Sequence, residues 1–199
     1  MRKCGSSESG HDLVCHPEPR RRRRISRAEI LPLRCAQGQD DDSTMNSRPL
    51  RFIGFRVGPE TFLIDIMAVR QIVMAGKTTS VPTAPAFIEG VIVYRNEVIP
   101  VVDVHARLYP QRQAASEQPL ILLTHTAAGV IGLKVDEVRR IVTLNSQELL
   151  PAPATVRGIR GEFLVAIAPQ SGEIFLVLDV DSLLTGDEQR QLANLTPGA

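Results

Sequence analysis

The sequence has no tryptophan and only 4% aromatic residues, and its three cysteines, Cys4, Cys15 and Cys35, all lie in the N-terminal stretch. From residue 45 onward there is no thiol at all. Disulfides therefore do not hold that part together, which fits a reducing compartment. His105 and His125 have no second histidine or cysteine at ligand spacing, so no metal is expected. No apolar run approaches the ~18 residues of a membrane-spanning helix. No continuous apolar stretch follows the basic N-terminus, as a secretory signal requires. Phosphate-loop, dinucleotide, nucleophile-elbow and zinc-helix motifs are all missing. The expectation is a cytoplasmic protein with no cofactor.

What is present is unevenly spread. Residues 1–44 hold the arginine run 20–24 and the acidic run 40–42 without any sustained apolar period. Such a stretch cannot bury enough apolar surface to offset its ordering entropy. Residues 1–48 are therefore read as a disordered or non-native extension, with a second start available at Met45. The arginine run has a rival reading as a patch for nucleic acid or anionic lipid. The remaining residues are nearly neutral and long enough to support a core unaided.

From Pro49 the apolar pattern has a short period. RFIGFRV (51–57), TFLIDI (61–66), LILLT (120–124), VIGLKV (130–135), FLVAIA (163–168) and EIFLVLDV (173–180) are punctuated by turn-formers such as Gly58-Pro59 and Pro169-Gln170-Ser171-Gly172. Many short strands joined by tight turns indicate an all-β barrel or sandwich. The pattern also repeats. Ile64-x-Ile66-x-x-Val69-x-x-Ile72-Val73 recurs 69 residues on, from Leu133 to Val142. Gly90-Val91 recurs as Gly158-Ile159, a shift of 68, and Val101-Val102-Asp103-Val104 recurs as Val177 to Val180, a shift of 76. This predicts two packed β units, 50–115 and 118–184, with strand exchange between them allowed for and a longer hairpin in the second. Thr185-x-x-Glu188 has capping-box spacing and opens a short helix and tail at 187–199.

Candidate chemistry is scarce. GVIVYRNEVIPVVDV (90–104) reads as a hairpin, apolar and covered on both faces, with Arg95-Asn96-Glu97 at its turn; Asn tolerates the positive φ such turns need. Arg95 is either a solvated turn charge or a guanidinium that clamps a neighbour. Asp103 and Asp179 end equivalent strands. General acid–base work is one reading, and capping of backbone amides where the strand ends is the other, favoured by their symmetry. A single-strand nucleic-acid-binding barrel would need exposed aromatics among basic residues, and the eight aromatics lie mostly within apolar runs. Composition points to an interaction module.

Four motifs in order then resemble the chemotaxis coupling-protein family, the CheW-like domains. They are FRVGPETFLIDIMAVRQIV (55–73), VPTAPAFIEGVIVYRNEVIPVVDV (81–104), IGLKVDEVRRIVTLNSQEL (131–149) and FLVLDVDSLL (175–184). The resemblance covers about 52–184, within a domain set at 49–186. It implies two intertwined five-stranded SH3-like β-barrels with short helices and no catalytic activity. It also implies an adaptor joining the cytoplasmic tip of methyl-accepting chemoreceptors to the regulatory domain of a CheA-type histidine kinase, with no nucleic acid and the membrane reached only through receptors. By matching position, Arg95 is the family's hairpin arginine, and Val69, Gly90 and Leu120 fall along its receptor-facing groove. Two positions depart from the family: Asn96 replaces a glycine, and Gln71 stands where a glutamate often pairs with the arginine.

Overall fold

A computed structural model describes residues 49–195, apart from 83, 111–115, 117, 128, 157, 158 and 171. The extension 1–48 and Gly158 of the expected repeat lie outside the described residues. The fold is all-β. β1 (Leu50–Val57) and β2 (Glu60–Asp65) form a hairpin whose turn uses Gly58 at φ 60. β3 (Val69–Met74) follows, then β4 (Ile88–Tyr94), β5 (Glu97–Asp103) and the short helix α1 (Val104–Leu108). β6 (Leu120–Thr126), β7 (Gly129–Val135) and β8 (Glu137–Leu144) lead through the two-residue strands β9 (Leu150–Pro151), β10 (Thr155–Val156) and β11 (Ile159–Arg160). β12 (Leu164–Gln170), β13 (Glu173–Leu178) and the helix α2 (Gly186–Leu195) complete the chain.

The strands assemble into two main sheets, ordered β8-β1-β2-β13-β12-β9 and β3-β6-β7-β5-β4, with β10–β11 a separate pair. Two of the pairings are parallel, β2 with β13 and β5 with β7, and each joins the two halves of the sequence. The sequence boundary near 115 therefore separates repeats along the chain but not in space. Each half lends its first hairpin to the sheet of the other. At the edge of the five-stranded sheet, the chain just past β3 returns to β4, where Thr79 and Val91 exchange two backbone hydrogen bonds of 2.9 Å.

The repeat is visible in the register and corrects one expectation. β1, β2 and β3 correspond to β6, β7 and β8 at a shift of 69. β4 and β5 correspond to β12 and β13 at a shift of 76 throughout: the bulge between Ile88 and Gly90 is reproduced between Leu164 and Ala166. The two hairpins have equal two-residue loops, so the second is not longer. The extra residues lie between β8 and β12: β9 pairs with Ile167 as Thr79 pairs with its counterpart Val91, and β10 and β11 are added. Gly90 matches Ala166 rather than Gly158; the glycine identity at 158 misled because it ignored pairing.

Asp103 and Asp179 do the same work at equivalent strand ends. Asp103 accepts the Ala106 N–H (2.9 Å) as the cap of α1, and Asp179 accepts the Asp181 N–H (3.2 Å) and the Ser182 hydroxyl (2.6 Å). The capping box also forms: the Glu188 carboxylate accepts the Thr185 N–H at 2.7 Å, and Thr185 Oγ1 accepts the Glu188 N–H at 3.3 Å. Glu188 further pairs with Arg107 (3.2 and 3.3 Å), whose guanidinium lies 4.1 Å from the ring centre of Phe87 and 5.3 Å from that of Phe163. These two phenylalanines are repeat counterparts, so α2 is fastened where the two units meet.

Apolar alternation builds three clusters. The largest lies where the two sheets meet and takes Phe55, Phe62 and Ile64 from one sheet and Val102, Leu122 and Leu133 from the other. Each such side chain contributes about 1.5–3 kcal/mol on burial. The other two clusters line the opposite face of each sheet, around Phe52, Leu63 and Phe175 in one and Ile99, Ile121 and Leu123 in the other.

Candidate partner-binding face

The hairpin tip of β4 and β5 is the most exposed apolar corner of the five-stranded sheet. Tyr94 pairs with Glu97, leaving Arg95 and Asn96 as a two-residue loop with φ 47 and φ 67. Both central residues are left-handed, which is the turn whose twist matches that of its strands. Asn96 thus does what Gly172 does at φ 83 in the second hairpin. Arg95 carries the same strain without being glycine or asparagine, and its guanidinium lies 5.3 Å from the Tyr94 ring centre.

The coverage expected on both faces stops short of the turn. Ile99 is buried, but the cross-strand pair Val93–Val98 projects past the packed region, and Val93 is 76% exposed. β3, at the other edge of the sheet and reaching Glu97 through Arg70, exposes Ile72 and Met74, the latter also 76% exposed. An uninterrupted apolar run gave no sign of where cover ends.

A salt bridge that the sequence did not reveal spans this corner. Arg70 of β3 donates to both carboxylate oxygens of Glu97 (2.5 and 3.3 Å). The hydrogen bond that Arg70 donates to Glu97 holds the carboxyl below its usual range and raises the guanidinium. A depressed carboxylate stabilises the fold above its unfolded value and loses that contribution as pH falls through the lowered one. Glu97 is therefore expected to titrate below the ordinary carboxylate value and to return to it in Arg70→Gln, as followed by side-chain NMR; no change on that substitution would remove the bridge from solution.

The resemblance-derived residues separate on the structure. Val69 and Leu120, on adjacent strands, are half-buried at the fringe of the shared core. Gln71 sits in β3 opposite Leu123 and makes no hydrogen bond with Arg95 among the described residues. The arginine is turned onto Tyr94, and the charged contact in this corner belongs to Arg70 and Glu97. Gly90 serves the backbone: at φ +149, a Cβ would lie 2.2 Å from the Thr79 carbonyl oxygen. Beyond it, Lys134 bridges Glu89 (2.9 Å) and Asp103 (3.5 Å). Burial alone would lower this ammonium, but the two carboxylates outweigh it and leave it raised.

Interlocked sheets that expose aliphatic side chains around a guanidinium define a binding module. Among the described residues no cluster of His, Cys, Asp or Glu is fit to hold a metal, and no helix is long and apolar enough to cross a membrane. The CheW-like domain model matches residues 51–188, and the chain belongs to that family. Its role is that of a scaffold coupling chemoreceptors to the kinase CheA in chemotaxis. The chemotaxis protein CheW of Rhizobium meliloti is 32% identical over 137 residues, 69% of this chain and 88% of that one. The CheW of Treponema pallidum is 28% identical over 156 residues, 76% and 91%. Protein FrzA of Myxococcus xanthus is 28% identical over 144 residues, 71% and 89%. The crystal structure of the scaffolding protein TtCheW from Thermoanaerobacter tengcongensis superposes with a TM-score of 0.66 at 23% identity, covering 75% of this chain and 96% of that one. The nucleic-acid alternative finds no support: the large exposed apolar side chains are aliphatic or methionine, and the six phenylalanines are buried.

Proposed function

We propose that the corner formed by Arg95, Val93, Val98, Ile72 and Met74 docks the regulatory domain of a CheA-type histidine kinase. Alongside it, Val69, Gln71 and Leu120 border the surface that receives the cytoplasmic tip of a chemoreceptor, Gly90 and Asn96 setting the backbone around both. The adaptor works in the cytoplasm, where receptor tips and kinase meet, and carries out no chemistry of its own. The observation that carries this reading is the exposure of the Val93–Val98 pair beside a strained arginine. Contiguous apolar surface rimmed by charge marks interaction sites, and a helical receptor tip enters such a surface by its apolar face.

Arg95→Ala and Val93→Asp should each weaken binding to purified kinase regulatory domain by about tenfold or more, as expected of central interface residues. Both lie at the surface, so unfolding free energies should shift by no more than about 0.5 kcal/mol. Titration calorimetry beside chemical denaturation separates the two effects. Undiminished affinity in both variants overturns the assignment, and loss of folding in Arg95→Ala makes that residue structural.

A further inference from the structure

The repeat supplies a counterpart for each residue at the turn end of the two sheets, and there the sheets differ. β3 and β8 carry matching bulges, placing Arg139 and Arg140 where β3 has Arg70 and Gln71. Glu173 and Phe175 likewise match Glu97 and Ile99, and Gly54 matches Leu123. In the five-stranded sheet this end is shut. Leu123 is fully buried against Ile99, and Arg70 grips Glu97 across the rim. In the other sheet the same positions enclose an open cleft of about 270 Å³.

Its floor is Val142 and Phe175, both buried, and Gly54 leaves out the leucine. A Cβ on Gly54 would meet the Arg140 carbonyl oxygen at 3.1 Å, Leu63 at 3.7 Å and Val142 at 3.9 Å, so glycine keeps this wall of the cleft bare. The rim is unlocked as well. Arg139 reaches Thr61 Oγ1 at 3.5 Å and Glu137 at 3.6 Å but makes no bond to Glu173 among the described residues. The Arg140 guanidinium lies 6.0 Å from the Phe175 ring centre and has no carboxylate partner among the described residues.

We propose that this cleft binds a polypeptide segment presenting an aliphatic side chain next to a carboxylate. The aliphatic group rests on Val142 and Phe175, and the carboxylate takes Arg140, while Arg139, the counterpart of Arg70, stays with Thr61 and Glu137. A guanidinium fork suits a carboxylate bidentately, and the apolar floor shields the pair from water on one side. Glu173 stands at the rim as the opposing like charge. The site lies on the sheet away from the Arg95 corner, and its occupancy does not depend on receptor or kinase.

The test titrates the isotope-labelled full chain with acetyl-Ala-Leu-Glu-Ala-amide and follows backbone amides by NMR. Saturable shifts are expected at Gly54, Thr61 and Phe175. Replacing the peptide glutamate by glutamine, or Arg140 by glutamate in the protein, should weaken binding about tenfold, the worth of one charge-assisted contact. Arg140→Glu should leave the melting temperature unchanged, and Glu173→Gln should tighten binding. Absence of saturable shifts, equal binding of the glutamine peptide, or full binding by Arg140→Glu overturns the proposal. Equal binding when the peptide leucine becomes alanine overturns it too, since only a charge contact would remain.

Discussion

Gly90→Ala is expected to cost about 2–4 kcal/mol of stability, the range of a steric clash added to backbone strain. The new methyl would sit 2.2 Å from the Thr79 carbonyl oxygen and 2.8 Å from its carbon, both backbone atoms that cannot swing aside. Relief requires breaking the Thr79–Val91 hydrogen bonds, which bring the chain past β3 back to the edge of its sheet. Two control glycines divide the effect. Gly129 shares a left-handed φ of +124 but has open space around it, so Gly129→Ala should show the backbone strain alone, about 1–2 kcal/mol. Gly76 has neither strain nor neighbours, and its alanine variant should be nearly neutral. Urea denaturation of the three variants gives the ranking; a Gly90 variant no less stable than the Gly76 variant would show that the close approach does not exist. With the expected ranking, a binding defect at Gly90, a position the family resemblance places along a receptor groove, is a folding defect.

Phe55→Ala should be more damaging still, about 3–5 kcal/mol, against a total stability of about 5–15 kcal/mol for a domain of ordinary size. The ring is fully buried and stacks on Phe62, centroids 5.8 Å apart at 22°. Its cluster contains residues of both sheets, so the loss is felt by both. Unfolding should remain a single transition, with far-ultraviolet dichroism and the fluorescence of Tyr94 and Tyr109 changing together. Separate transitions for the two probes would mean that the sheets melt independently and that the shared cluster does not join them.

Strand content, turns and the existence of a repeat were legible because they are written in neighbouring residues. Alternation from Arg51 to Val57 marks a strand wherever that strand ends up pairing, and Thr185-x-x-Glu188 marks a helix start. Partner choice is not local. Nothing around Glu60 or Glu173 states that β2 runs parallel to β13, because parallel pairing leaves the same apolar code as antiparallel pairing. The Gly90–Gly158 match failed for a related reason. Glycine at 90 answers to a carbonyl oxygen eleven positions earlier, and the second-half glycine that meets comparable crowding is Gly161, beneath the Pro153 and Ala154 carbonyls. At the candidate site, Arg95 and Asn96 stood out through turn chemistry. Arg70 and Glu97 did not, since a charge pair between separate strands has no sequence spacing to betray it.

The crossed hairpins also impose an order on synthesis. β1 and β2 leave the ribosome first, yet both strands that flank them, β8 and β13, are made much later. The sheet containing β3 to β7 has all its strands once residue 135 has emerged, whereas its companion waits for residue 178. Until then the oldest hairpin of a nascent chain has two bare edges, the kind of surface that clings to a neighbouring strand. Translation speed across the second half thus sets how long each newborn molecule is vulnerable to aggregation.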